Sequence, residues 1–300
     1  TRLFFRFPVH SLQKKMTPNA QTAIFAVEEK LIRLNYSRQT IKTYKNCLKG
    51  FLAYYSQKEP QEISKEEIET YLFHLVKARK IAPATQNQII NAIKFYYEKV
   101  LHYPRQFYNL QRPKKNKQLP GVLSPAEVKR IIQATANPKH RCMLLTIYAA
   151  GLRRSELLHL RIQDIRSGEG LIFIKSGKGR KDRYVTLSGH LLQALRAYYR
   201  QYRPEYWLFE GQDGGQYSAT SLQKVFRRAV QKAGVRAHCT LHTLRHSYAT
   251  HLVQQGVDLR AVQQLLGHNS LKTTQIYTHI TDQQLAKIQS PLDRLFDSKT

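Results

Sequence analysis

The sequence predicts a mainly α-helical chain with one small antiparallel β-sheet, divided into a helical N-terminal domain and an α+β C-terminal domain. Three observations lead there. Apolar residues recur at steps of three and four over most of the chain, the period of a helix with one buried face. Only three short pieces, Ile162 to Ile165, Leu171 to Lys175 and Arg183 to Leu187, read as strands. Between the two halves, residues 104–121 carry Pro104, Pro113 and Pro120 with Arg112, Lys114, Lys115 and Lys117, a basic, proline-stiffened stretch that reads as a linker.

Residues 1–20 read as an N-terminal extension, too short and too interrupted by Arg6 and Pro8 for a signal peptide. Residues 21–103 form the first domain, as four helices. Ile24, Val27, Leu31 and Leu34 make the first stripe. Ser37 caps a second helix in which Ile41, Tyr44, Leu48, Phe51 and Tyr55 recur. Ser64 and Glu67 form a capping box ahead of Ile68, Tyr71, Leu72 and Leu75, and Pro83 opens a fourth helix carrying Ile89, Ile93, Tyr96 and Val100. The tyrosines at stripe positions read as core.

Residues 122–300 form the second domain. Ser124, Pro125 and Glu127 supply a cap, a first-turn proline and a capping-box acid for a helix to about Ala134. A second helix runs from Pro138 through Ala150, and Gly151 breaks it before a short helix with Arg153, Arg154 and Glu156. The last two strands flank SGKGRKD, a glycine-bearing basic turn that places Lys178 at a hairpin tip. Helices from His190 to Tyr202 and Ser218 to Ala233 follow. Then comes a segment from Cys239 to Ile280, with Gly256 and Gly267 as left-handed caps and His242, Arg245, His268 and Tyr277 close together.

The charge identifies the class of partner. The 300-residue chain has 49 Lys plus Arg against 20 Asp plus Glu, a formal +29, which calls for a polyanion, nucleic acid first and an anionic membrane surface second. No apolar run approaches a membrane span. Three scattered cysteines, Cys47, Cys142 and Cys239, argue against a disulfide framework and for a reducing cytoplasm, where a partner of DNA is nucleoid-associated. Arg38, Lys42, Lys45 and Lys94 lie between the apolar stripes as candidate DNA contacts, with Lys114 and Lys115 in the linker and Arg154, Arg180 and Lys181 in the second domain.

His242 and Arg245, three apart, share a helix face, and that pairing suits an oxyanion because guanidinium grips phosphate oxygens and stays charged. The bland reading is an ordinary solvated face. Zinc is the sharper rival, since His238, Cys239, His242, His246 and His251 crowd together, but Arg245 stands between His242 and His246 and a cation beside a metal is unfavourable. No metal and no cofactor is expected. A tyrosine hydroxyl attacks poorly unless a neighbour takes its proton, and guanidinium groups stabilise the charge on a five-coordinate phosphate. Two arginines, histidines, a lysine and a tyrosine therefore make chemical sense for phosphodiester transfer.

The motifs GLRRSEL, SGKGRKDR, LHTLRH, LLGH and TTQIYTH together resemble the tyrosine recombinases, the phage-integrase and Xer-type family. The resemblance covers the whole second domain, which it makes the catalytic domain, and the first domain is similar to the family's helical SAM-like core-binding domain. It implies that Arg153 and Arg245 clamp the scissile phosphate. Lys178 would protonate the leaving 5′ oxygen, with Lys175 and Lys181 as alternatives in the same loop. His242 would serve as general base, His268 would hydrogen-bond the phosphate, and Tyr277 would form a 3′-phosphotyrosine link. Glu156 would orient Arg153. Arg154 departs from the family, which commonly has an uncharged residue there. The resemblance also implies double-stranded DNA sites as partner, a homotetramer on DNA built by exchange of the tail Thr281 to Thr300 (or a hetero-oligomer with a paralogue), and a Holliday junction. A type IB topoisomerase-like relaxing enzyme and a catalytically silent DNA-binding protein are the rival functions.

Overall fold

Serine caps and apolar stripes set the first helices. The computed structural model describes residues 18–104, 112–113, 121–175, 182–235 and 239–267. The chain divides into two units, Thr1–Lys117 and Gln118–Thr300, each with its own core. In the first, α1 is Pro18–Arg33, α2 Arg38–Tyr54, α3 Lys65–Arg79 and α4 Pro83–Phe95. Ser37 accepts from the Thr40 amide at the start of α2, and Ser64 and Glu67 close a reciprocal capping box at the start of α3. The stripes converge on Val27, Leu31, Leu48, Phe51, Ile68, Leu72, Ile90 and Ile93, all buried. The fourth helix differs from the expected single run to Val100. It widens at Tyr96–Val100 into a π turn, with Leu101 N–H reaching the Tyr96 carbonyl. The wider turn keeps two successive tyrosines inside: Tyr96 and Tyr97 are both buried, and the Tyr97 hydroxyl donates to the Pro60 carbonyl at 2.6 Å.

In the second unit α5 is Pro125–Gln133, α6 Pro138–Ala149, α7 Arg154–Leu158, α8 Gly189–Tyr202, α9 Ala219–Lys232, α10 Leu241–Gln254 and α11 Leu259–Leu266. Three antiparallel strands, β1 Ile165–Arg166, β2 Leu171–Ile174 and β3 Arg183–Thr186, lie in the order β1-β2-β3, with Ile172 opposite Val185 and Ile174 opposite Arg183. The expected first strand, Ile162 to Ile165, is mostly a 3-10 turn. Asp164 accepts from the Arg161 amide at 2.7 Å and tightens the chain there, so pairing starts only at Ile165. The fold is thus mostly helical with a small three-stranded sheet, as the hydrophobic periods predict.

Two backbone devices set up the site. Gly151 has φ +59°, and a Cβ there would stand 2.5 Å from two Tyr248 ring carbons, so only glycine lets α6 end and turn into α7 against α10. Gly267, at φ +61°, closes α11 in the left-handed conformation. Ser247 anchors α10 from the other side, accepting from the Leu123 amide at 2.9 Å and donating to the Thr243 carbonyl at 2.8 Å. Several expected features lie outside the described residues: the extension up to residue 17, Lys114 and Lys115, the hairpin residues Lys178, Arg180 and Lys181, and the chain from His268 onward.

Candidate active site

Glu156, on the short helix α7, is the centre of the site. Its carboxylate is 8% exposed and meets three guanidinium groups. Arg153, the N-cap residue of α7, donates its backbone N–H to Oε2 at 2.8 Å and its Nη1 to Oε1 at 2.6 Å. Arg183, at the start of β3, makes a two-point pair, Nη1 to Oε1 at 3.0 Å and Nη2 to Oε2 at 2.9 Å. Arg245, on α10, approaches Oε2 with Nη1 at 3.5 Å. Burial by itself would push the Glu156 carboxyl up, but the hydrogen bonds and charges of Arg183 and Arg153 outweigh it and hold the group at about 2. Glu156 is therefore ionised throughout the physiological range, and one carboxylate sits among three permanent cations.

The same three arginines meet again at the end of α11. Three consecutive carbonyls there accept from the arginines, at a helix C-terminus, where carbonyls generally lack partners within the helix. Arg183 Nε donates to Leu265 O at 2.7 Å, Arg245 Nη2 to Leu266 O at 2.6 Å, and Arg153 Nη2 to Gly267 O at 3.0 Å. Arg245 Nη1 also donates to Gly151 O at 2.6 Å. Cations at the negative end of a helix are favourable, so α11 and Glu156 together offset the repulsion among the guanidiniums. The outcome is a rigid, net-positive lattice joining α7, β3, α10 and α11, preorganised for an anion.

His242 and Arg245, which share a helix face by their spacing, differ in depth. His242 is exposed, whereas the Arg245 side chain is 1% exposed, drawn inward by the carbonyls of Gly151 and Leu266. Of the two predicted clamp arginines Arg153 is the more open, with 19% of its side chain exposed. His242 stacks edge-on against His246, ring centroids 4.3 Å apart. Burial first, then the charges of His242 and Arg245, lower the His246 imidazole to about 4, which leaves it neutral near pH 7.

Arg153, Glu156 and Arg245 thus come together, with His242 on the same helix as Arg245. Lys175 is exposed just after β2. Lys178, His268 and Tyr277 lie outside the described residues. Arg183 was not among the residues singled out from the sequence. A signal existed: Val185 alternates inward on β3, so Arg183, two residues earlier, shares its buried face. An arginine on the inward face of a strand requires a buried partner.

The candidate DNA contacts are of two kinds. Arg38 and Lys42 are exposed on α2. Lys45 pairs with Glu28, and Lys94 pairs with Glu98 at 3.1 Å, so these two are already engaged with carboxylates. Arg154 is half-buried at the start of α7. Arg112 in the linker lies on α4, donating to Asn87 Oδ1 at 3.0 Å and Asn91 Oδ1 at 2.9 Å.

A model of the phage integrase family matches residues 121–284, and one of the phage integrase N-terminal SAM-like domain matches residues 24–106. The chain belongs to the phage integrase family. Among its curated relatives, a putative integrase/recombinase of Sinorhizobium fredii is 38% identical over 78% of this chain and 94% of its own length. Tyrosine recombinase XerC of Xanthomonas campestris is 32% identical, covering 90% of this chain and 89% of its own. Among solved integrase-family structures, the XerA recombinase superposes with a TM-score of 0.53 at 30% identity, over 94% of this chain and 100% of that one. XerH bound to palindromic difH substrate in a post-cleavage complex superposes with a TM-score of 0.69 at 25% identity, over 91% of this chain and 89% of that one. Among the described residues of this integrase-family chain no helix is long and apolar enough to cross a membrane.

Proposed function

We propose that this chain is a site-specific DNA recombinase that breaks and rejoins strands by metal-independent transesterification at Tyr277. The observation that carries the reading is the arginine lattice around Glu156, in a family whose relatives include tyrosine recombinases and a recombinase solved on its DNA substrate. Arg153 and Arg245 bind the non-bridging oxygens of the scissile phosphate, with Arg153 as the more open entry point. Charge that gathers on those oxygens in the five-coordinate state is stabilised by guanidinium groups whose placement the lattice fixes. His268 hydrogen-bonds the same phosphate.

The Tyr277 oxygen attacks phosphorus while His242 takes the phenol proton. The bond from phosphorus to the 5′ oxygen breaks, and Lys178 supplies the proton that makes the leaving group a 5′ hydroxyl. The 3′-phosphotyrosine keeps the ester until a 5′ hydroxyl of the partner duplex returns, and two such rounds pass through a Holliday junction. Residues 21–103 act as the core-binding domain and 122–300 as the catalytic domain, joined by the basic stretch 104–121. Four protomers assemble on paired sites through their C-terminal tails, in the cytoplasm.

The test uses a duplex selected by this chain from a random-sequence pool, nicked beside the cleaved phosphate so that the short product diffuses away. The wild type should accumulate as a protein–DNA adduct and join its strand to a second duplex, and Tyr277→Phe should form no adduct. Absence of an adduct with the wild type rejects the reading. Relaxation of supercoils without joining to a second duplex replaces it with a topoisomerase-like one.

A further inference from the structure

We propose that Arg183 is a positioning residue for strand transfer, setting the spacing of the two phosphate-binding arginines without touching the phosphate itself. The inference rests on the recombinase reading above. Arg183 comes from β3, the one strand element of the lattice, and its side chain is almost wholly buried. All three guanidinium nitrogens are used: Nη1 and Nη2 on the two oxygens of Glu156, and Nε on Leu265 O. It therefore joins the carboxylate that orients Arg153 to the helix end that orients both Arg153 and Arg245.

The fit is close. A Cβ on Gly267 would lie 3.1 Å from Arg183 Cδ and Nη1, so the glycine that ends α11 also makes room for this side chain. Without Arg183, Glu156 keeps its two bonds to Arg153, one from the backbone N–H and one from Nη1, but loses the guanidinium that spans both its oxygens. The carboxylate is then free to swing toward Arg153, and the Leu265 carbonyl is left without its donor. A lysine keeps the buried charge yet has one nitrogen, which cannot bridge two carboxylate oxygens and a carbonyl in a fixed plane. Displacement of a preorganised donor by about 1 Å costs on the order of 100-fold in rate, so the effect belongs to the chemical step rather than to DNA binding.

Chemistry separates this role from general loss of structure. A methylphosphonate at the scissile position replaces one charged oxygen with methyl, so the phosphorus centre depends far less on guanidinium charge. Single-turnover cleavage is measured on the nicked duplex and on its methylphosphonate counterpart for wild type, Arg183→Met and Arg183→Lys, with DNA affinity alongside. Expected on the phosphodiester is a loss of about 100-fold for Arg183→Met at unchanged affinity, shrinking to less than about 10-fold on the methylphosphonate. Equal losses on both substrates, or no loss on either, would overturn the proposal. Where Arg183→Met does not fold, Arg183→Lys carries the same comparison, with a smaller but likewise substrate-dependent loss. Failure of the wild type to cleave either duplex would instead defeat the recombinase reading, so the two failures are distinguishable.

Discussion

Arg183 and Glu156, 27 residues apart in the chain, form a two-point ion pair with contacts of 3.0 and 2.9 Å, and the rest of the arginine lattice is arranged around it. The pair converts a region of strong positive charge into a fixed geometry. Buried ion pairs are costly to break one partner at a time, because the remaining charge stays inside without compensation.

Stability in acid should report Glu156. Its carboxyl ordinarily titrates near 4.5 and is held at about 2 in the folded chain, so the unfolded chain binds the extra proton between those values. The stabilisation is complete above about 4.5 and is lost as pH falls through about 2, a contribution of about 3 kcal/mol. Denaturant titrations across this window should show the slope in the wild type and lose most of it in Glu156→Gln. The same substitution should cost about 3–5 kcal/mol at neutral pH, by leaving three guanidiniums without their counter-charge.

The His246 imidazole gives a second window with the opposite chemistry. Its value drops from 6.5 to about 4, so above 6.5 it is neutral in both states and contributes nothing to the pH dependence. As pH falls from 6.5 toward 4 the unfolded chain takes up a proton that the folded chain refuses, and stability declines. His246→Gln should flatten the stability profile between those values, and NMR titration of the imidazole should place its midpoint near 4 in the wild type.

Gly151→Ala should weaken the site from a distance. The new Cβ meets the Tyr248 ring at 2.5 Å on a backbone of φ +59°, so both must shift. The Gly151 carbonyl, which accepts from Arg245, moves with them. A loss of about 1–3 kcal/mol is expected in thermal or denaturant unfolding, with a larger fall in cleavage rate than in DNA affinity.

Salt dependence of DNA binding should sort the cations of the first unit. Arg38 and Lys42 are exposed, whereas Lys45 and Lys94 already face Glu28 and Glu98. Removing Arg38 and Lys42 together should reduce the slope of log affinity against log salt by about 2, at roughly 0.9 per phosphate contact. Removing Lys45 and Lys94 should reduce it by less than about 1, since part of their charge is neutralised within the chain. Binding constants between low and physiological salt decide the matter.

Local signals were legible in the sequence. The capping boxes at Ser64 and Ser124 involve residues three apart, so a short window contains the whole interaction, and both are present. The stripes of α1 to α4 were legible for the same reason. One local signal escaped: Asp164, three residues after Arg161, turns the expected first strand into a 3-10 turn by a hydrogen bond that competes with pairing. The rest of what escaped depends on packing and on distant partners. The π turn at Tyr96 arises because two neighbouring rings both find space in the core. Arg183 escaped because its meaning lies in Glu156 on another element and in the end of α11, 82 residues onward, and nothing in a run of basic residues marks which one turns inward. The burial of Arg245 escaped as well, since helix spacing gives a face and not what covers it.

If the arginine lattice serves one tyrosine in exchanging a DNA phosphodiester for a protein–DNA ester, as proposed, peptide mapping of the adduct formed on the nicked duplex should find a single nucleotide-bearing peptide. It should be modified at Tyr277 through a 3′ phosphate and be absent from Arg153→Gln protein that still binds the duplex. An adduct on another residue, a 5′ linkage, or undiminished adduct in Arg153→Gln would contradict the proposal.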